Sequence, residues 1–102
     1  MTAFPMQQPR RNLHLALKKA YFLAIQSGAK TVEYRLATPY WSKRLANREY
    51  EQISLTMGYP SRDDQSRRLL RPWRGCVKQT IVHPHFGDLP VTVFAIALGG
   101  TL

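Results

Sequence analysis

The segment from Gly28 to Arg35 constrains the fold of this chain most strongly, because it joins the end of a helix to an unusually charged strand. Gly28 follows a short helix predicted over residues 18–27, at the position where a left-handed residue commonly ends a helix. The strand predicted over residues 30–36 carries Lys30, Glu33 and Arg35. Strands favour apolar, β-branched and aromatic residues over charged ones. This concentration of charge therefore indicates a site for a polar ligand.

The alternation of side chains along this strand separates its two faces. Val32 and Tyr34 fall on the face expected to point into the core, and Glu33 and Arg35 lie side by side on the other. Lys30 has the opposite parity to Glu33, but its long side chain can reach the same cleft from the strand's entrance. One interpretation is a solvated salt-bridge ladder, worth about 0–1 kcal/mol. The other is a pocket in which Arg35 or Lys30 binds a phosphate or carbonyl oxygen, while Glu33 accepts hydrogen bonds from a base edge or acts as a general base.

The rest of the chain reads as strands with one more helix. Period-two spacing of leucines predicts a strand over residues 13–17, and Thr38-Pro39 suits the start of a helix that runs to about residue 47. Further strands are predicted over residues 50–57, 73–84 and 91–98, with residues 58–72 as a basic loop insertion. This order favours an α+β fold, a small β-barrel of about five to six strands with two or three short helices flanking a cleft. Residues 1–11 are expected to be a flexible tail, and residues 12–98 a single domain.

The charge of the chain favours a polyanionic partner. Its 102 residues include 15 Lys and Arg against six Asp and Glu, a formal net charge of +9. Solubility alone is the simpler explanation, but an excess this large in a small domain favours nucleic acid or a phosphorylated ligand.

Cys76 is the single cysteine, which favours a reducing, cytoplasmic setting and a buried, inert thiol. No apolar run approaches the ~20 residues of a membrane span, so no membrane partner is expected. The chain is expected to be a monomer.

Aromatic and basic residues are interleaved at the start of the second predicted helix. Tyr40 and Trp41 stand beside Lys43 and Arg44. Core packing is one interpretation of the two rings, and a platform on which bases stack is the other, with the cations holding phosphates. The residues expected to bind nucleic acid are Lys30, Arg35, Tyr40, Trp41, Lys43, Arg44 and Arg74.

His83 and His85 stand two residues apart and raise the question of a metal site. Zinc usually needs at least three protein ligands, and Cys76, His14 and Asp88 are scattered along the sequence. A turn stabilised by a histidine hydrogen bond is the simpler interpretation, so no metal or other cofactor is expected. General acid–base chemistry by a histidine in the cleft stays open.

These features together resemble the ASCH domain, a family of the PUA-like superfamily, in its small bacterial and phage-type members. The motif Gly28-x-Lys30-Thr31-x-Glu33-x-Arg35 carries the resemblance, and it is moderately specific in its helix-to-strand context. The helix before this motif, the segments 71–75 and 83–87, and the first and last strands also fit. The likeness covers about residues 12–98.

The resemblance implies a PUA-like β-barrel whose cleft, lined by the motif residues, binds RNA or a modified nucleoside. Lys30, Glu33 and Arg35 match the motif and inherit this role. Some members resemble ribonucleases, which implies RNA cleavage at the cleft by these three residues, with or without metal. Others resemble amidohydrolases acting on acylated cytidine, but Glu33 stands where their nucleophilic Thr is expected. RNA binding alone, RNA cleavage and hydrolysis of a modified nucleoside are therefore the alternatives.

Overall fold

The structure, a computed structural model, describes residues 11–99. It has six strands and two α-helices, which confirms the α+β class. In chain order these are β1 (Leu13–Leu17), α1 (Lys19–Ser27), β2 (Val32–Leu36), α2 (Pro39–Leu45), β3 (Gln52–Met57), β4 (Arg68–Pro72), β5 (Cys76–Ile81) and β6 (Val91–Ala97). Short 3₁₀ turns occupy Gln65–Arg67 and Pro84–Phe86. The tail predicted for residues 1–11 lies, apart from Arg11, outside the described residues.

The strands form two three-stranded sheets. One has the order β1-β3-β4 and the other the order β2-β6-β5. Strands β1 and β3 are parallel, and a parallel pair needs a long crossover, which α1, β2 and α2 supply here. No hydrogen-bonded ladder joins the two sheets within residues 11–99, so a closed barrel is not confirmed.

The hydrophobic core lies between the sheets and the inner faces of the helices. Helix α1 contributes Phe22 and Ile25, and α2 contributes Leu45, all of them buried. The alternating leucines of β1 and the apolar residues of β3 and β6 complete the cluster. No helix of the described segment is long and apolar enough to cross a membrane.

Each helix has one end at the residue expected from the sequence, whereas α2 ends at Leu45 and not near residue 47. Gly28 ends α1 with φ of 88°, and its backbone N–H donates to the Ile25 carbonyl oxygen. Thr38 is the N-cap of α2, and its side-chain oxygen accepts a hydrogen bond of 3.3 Å from the Trp41 backbone N–H. These local signals fix where β2 begins and where α2 leaves it.

The orientation predicted for β2 is wrong. Strand β2 pairs with β6 so that Glu33 lies opposite Ile96, and Arg35 opposite Phe94. Ile96 and Phe94 belong to the buried core, so the charged face of β2 points inward. Among the described residues, Glu33 is the only buried charged side chain, with 6% of its surface exposed. The burial is tolerated because cations flank both carboxylate oxygens of Glu33.

The segment predicted as a loop insertion, residues 58–72, contains a 3₁₀ turn and a strand in its second half. Its last five residues form β4, which pairs antiparallel with β3 and places Leu69 opposite Leu55. Arg68 donates hydrogen bonds to the Pro60 and Ser61 carbonyl oxygens, which ties the preceding turn to β4. Strand β4 lies at the edge of its sheet, and it carries Arg68 and Arg71, charged residues of the kind that discourage pairing of an edge strand with another chain.

Cys76 lies at the start of β5 and is partly buried. Its Sγ atom is 3.8 Å from the Leu45 carbonyl oxygen. Burial raises the pKa of the thiol above its usual value, which lowers the fraction of reactive thiolate at neutral pH. The side chain packs against the core.

Candidate functional site

A cleft of about 420 Å³ opens beside β2. The edge strand β1 and the residue after it form one wall, the start of α2 forms another, and α1 with the turn at residues 83–86 closes the third side. The lining residues are Ala16, Leu17, Lys18, Tyr21, Glu33, Tyr34, Arg35, Leu36, Thr38, Tyr40, Trp41, His85 and Phe86. A cavity of this volume lies within the range of small-molecule sites.

Glu33 holds two cations at the base of the cleft. Its Oε2 atom accepts a hydrogen bond of 2.9 Å from Arg35 Nη2, and its Oε1 atom is 3.4 Å from Lys30 Nζ. The Lys30 and Arg35 side chains are only 18% and 19% exposed. The three charged side chains predicted from the motif therefore meet in one cluster of net charge +1.

Arg35 also connects the two sheets. Its Nη2 atom donates a second hydrogen bond, of 2.9 Å, to the carbonyl oxygen of Ala16 on β1. The guanidinium carbon lies 5.0 Å from the centre of the Trp41 ring, so one face of the cation is against an aromatic surface. Its buried Nε atom has no hydrogen-bond partner among residues 11–99. Arg35 is thus fixed in orientation while part of its donor capacity is unused.

Lys30 lies behind the cleft, in a smaller cavity of about 30 Å³ that shares Glu33 with it. Its ammonium group is 4.9 Å from the centre of the Tyr21 ring and 5.7 Å from that of Tyr34. The turn at residues 83–86 covers this cavity. Lys30 is therefore held in an aromatic cage next to the cleft.

Tyr40 and Trp41 stand at the open side of the cleft with their rings edge to face, 5.0 Å apart. Trp41 packs partly against the core, whereas Tyr40 is 56% exposed. The Arg44 guanidinium lies over the Tyr40 ring at 3.5 Å and donates to the Tyr40 carbonyl oxygen. Trp41 therefore fits the first interpretation of the sequence, core packing. Tyr40 fits the second, because it is exposed beside a cation.

Of the seven residues predicted to bind nucleic acid, three line the cleft, namely Arg35, Tyr40 and Trp41. Lys30 lies behind the cleft and Arg44 lies over the Tyr40 ring, and the remaining two residues stand apart from it. Lys43 is exposed on α2 but does not line the cleft. Arg74 is exposed between β4 and β5, and its side chain lies against Gly99. The cleft is therefore built without these two cations.

Sequence reasoning did not predict that α1 contacts the turn at residues 83–86 in the cleft wall. The hydroxyl of Tyr21, on α1, lies 3.3 Å from His85 Nδ1 in the cleft wall. Phe86 packs edge to face against His85. His83 caps the turn, its Nδ1 accepting the His85 backbone N–H, as the histidine-stabilised turn requires. Residues 21 and 85 are far apart in sequence, and no local pattern signals their contact.

The donor set offers little to a metal ion. Within the described part of the chain, no group of three or more His, Cys, Asp or Glu side chains is placed to hold one.

Comparisons of the chain with protein-family models, with curated proteins and with solved structures found no match.

Proposed function

We propose that the chain is an ASCH-like RNA-binding domain, and that its cleft holds one nucleotide of RNA. The observation that carries this proposal is the arrangement around Arg35, where a fixed cation lies against Trp41 at the base of a cleft of about 420 Å³. Aromatic faces beside cations suit a nucleotide, because bases stack on the rings and phosphates pair with the cations. The formal charge of +9 adds long-range attraction to a polyanion.

The geometry favours separate roles for the motif residues. Glu33 is buried and both its oxygens face cations, so its role is to orient Arg35 and Lys30 rather than to read a base edge. Arg35 presents its remaining donors to a phosphate or a base carbonyl oxygen. Tyr40 is the exposed ring on which the base stacks, with Trp41 behind it.

A PUA-like barrel is the finer description that we propose for the fold. Strands β1 and β2 are edge strands of different sheets, and the hydrogen bond from Arg35 to Ala16 spans the gap between them. In this description the cleft is the place where an incomplete barrel opens, and Arg35 links the two sides of the opening.

Binding to single-stranded RNA is expected to weaken steeply with salt. If three to four cations contact phosphates, the logarithm of the association constant should fall with that of salt concentration at a slope of about −2 to −3. Fluorescence anisotropy of an end-labelled octaribonucleotide between 50 and 300 mM KCl measures this slope. An affinity that does not change over this range would contradict the proposal, as would the absence of binding at 50 mM.

RNA cleavage is a second candidate, favoured by the contact between Tyr21 and His85. A histidine can take or give a proton near neutral pH, and this one stands in the cleft wall beside Lys30 and Glu33. We expect cleavage at this site to persist in EDTA and to fall at least 100-fold in His85→Ala. Denaturing gels of the labelled RNA measure it. RNA that is bound but stays intact at high protein concentration would assign the cleft to binding alone.

Hydrolysis of an acylated cytidine finds less support in the cleft. Glu33 occupies the position of the expected nucleophile, and Thr31 is exposed and does not line the cleft. Thr38 does line it, but its side-chain oxygen already caps α2. Binding of RNA is therefore the function that we propose first.

A further inference from the structure

Two more cavities continue the cleft on the other side of the Tyr40 and Trp41 rings. The first, of about 400 Å³, shares Ala16, Arg35, Tyr40 and Trp41 with the cleft. The second, of about 620 Å³, shares His14 and Tyr40 with the first. Tyr40 lines all three cavities, so they form one continuous surface around its ring.

The charge of this extension is uniformly basic. Arg35 and Arg68 line the first additional cavity, and Arg11 and Arg44 line the second. Among the described residues, neither lining includes a carboxylate. In the same part of the chain, Glu33 is the one acidic residue that lines any of the three cavities, and its charge is compensated by Lys30 and Arg35. A series of cations on one path is what a phosphodiester backbone requires, because its charges repeat at every nucleotide.

A nearly fully exposed aromatic ring stands at the edge of the extension. Tyr59 lines the first additional cavity and is 94% exposed. Its turn is held on both sides, by a 2.7 Å hydrogen bond from the Thr56 hydroxyl to the Gly58 carbonyl oxygen and by the bonds from Arg68 to Pro60 and Ser61. The fold therefore presents the ring to solvent without using it for packing. An exposed ring beside cations, on a turn whose backbone is held in place, is suited to stacking a base.

We propose that the cleft receives its nucleotide as part of a single RNA strand, whose neighbouring nucleotides pass Tyr40 and stack on Tyr59. This inference rests on the proposed function, and it names the form of the ligand as a strand rather than a separate nucleotide or nucleoside. Each of the three cavities takes on the order of one nucleotide, so the site size is about three to four nucleotides. Arg44 and Arg68 lie along the backbone of that strand.

The test measures how affinity depends on the length of the RNA, and how the replacement of Tyr59 by alanine changes that dependence. Isothermal titration at 100 mM KCl measures the affinities of cytidine and uridine monophosphates, their dinucleotides, and mixed-sequence oligoribonucleotides of four and eight residues. We expect affinity to rise at least tenfold from the mononucleotides to the tetranucleotide and little beyond it. Tyr59→Ala should weaken tetranucleotide binding about tenfold and change mononucleotide affinity by less than twofold relative to the parent protein. The side chain of Tyr59 is exposed, so the variant is expected to fold normally.

Matched controls separate the strand proposal from general charge attraction. Arg62→Ala removes an exposed arginine that lines none of these cavities, and Arg44→Ala removes one that does. We expect Arg44→Ala to weaken tetranucleotide binding at least threefold more than Arg62→Ala does.

Each failure has a distinct meaning. Equal affinity for mononucleotides and tetranucleotides, or an unchanged Tyr59→Ala, would overturn the strand proposal and leave the proposed cleft function standing. Absence of binding to every ligand would overturn both. Displacement of the tetranucleotide by a polyglutamate peptide at equal charge concentration would reassign the extension to an acidic peptide.

Discussion

Replacing Glu33 by Gln is expected to lower the free energy of unfolding by about 3 kcal/mol. Glutamine keeps the shape of the side chain and one acceptor oxygen, so the loss isolates the negative charge. Arg35 and Lys30, held at 2.9 and 3.4 Å from the carboxylate, would be left as two like charges at the edge of the core. A buried ion pair broken from one side typically costs 3–5 kcal/mol, and the low end applies because both cations retain some exposure.

Urea unfolding followed by tryptophan fluorescence measures this loss, and thermal unfolding should show a midpoint lower by more than about 10 °C. Glu49→Gln is the matched control, because it removes the same charge from an exposed position on the loop before β3. Its expected effect is within about 0.5 kcal/mol. Equal stability of the two variants would show that Glu33 does not hold the cluster together.

A triple replacement tests the same cluster from the opposite direction. If Lys30→Met, Glu33→Leu and Arg35→Leu are combined, no charge remains to be compensated, and stability should return to within about 1 kcal/mol of the parent or exceed it. The inward face of β2 lies beside Ile96 and Phe94, so apolar side chains suit it. Such a recovery would mean that the charges are present for ligand binding rather than for folding.

The local parts of this fold could be predicted from the sequence. Gly28 ends α1 and Thr38 begins α2 because each acts through hydrogen bonds within four residues of itself. The clustering of Lys30, Glu33 and Arg35 is also local, since all three lie close together in sequence, on β2 or just before it. Local rules therefore predicted the elements on both sides of the cleft and the residues at its base.

The parts that could not be predicted depend on contacts between distant residues. Alternation separates the two faces of β2, but it does not say which one is buried, and the apolar face was the wrong choice. That choice is decided by the pairing of β2 with β6 and by the two cations beside Glu33. Strand β4 was missed for a similar reason, because it is recognisable by its partner β3 and not by its own composition. The contact between Tyr21 and His85 likewise joins elements far apart in the chain.

Arg35→Gln is expected to weaken binding of the octaribonucleotide about 30-fold at 100 mM KCl. A hydrogen bond between charged groups contributes about 1.5–3 kcal/mol, and about 2 kcal/mol corresponds to this factor. In this variant Glu33 keeps Lys30 as a counterion at 3.4 Å, so we expect the variant to fold. Near-ultraviolet circular dichroism of the tryptophans can verify that it does. Anisotropy titration of the labelled RNA measures the affinity.

Two further variants separate the position of Arg35 from its charge. Arg62→Gln removes an equal charge from an exposed site outside the cleft, and it should change affinity less than threefold. Arg35→Lys keeps the charge but loses the planar guanidinium, whose Nη2 atom donates to both Glu33 and Ala16, so we expect it to recover only a small part of the 30-fold loss. If Arg35→Lys binds as well as the parent, the cleft recognises charge alone and the oriented guanidinium has no special role. If Arg35→Gln and Arg62→Gln lose affinity equally, RNA binds by general attraction to a basic surface and the cleft is not its site.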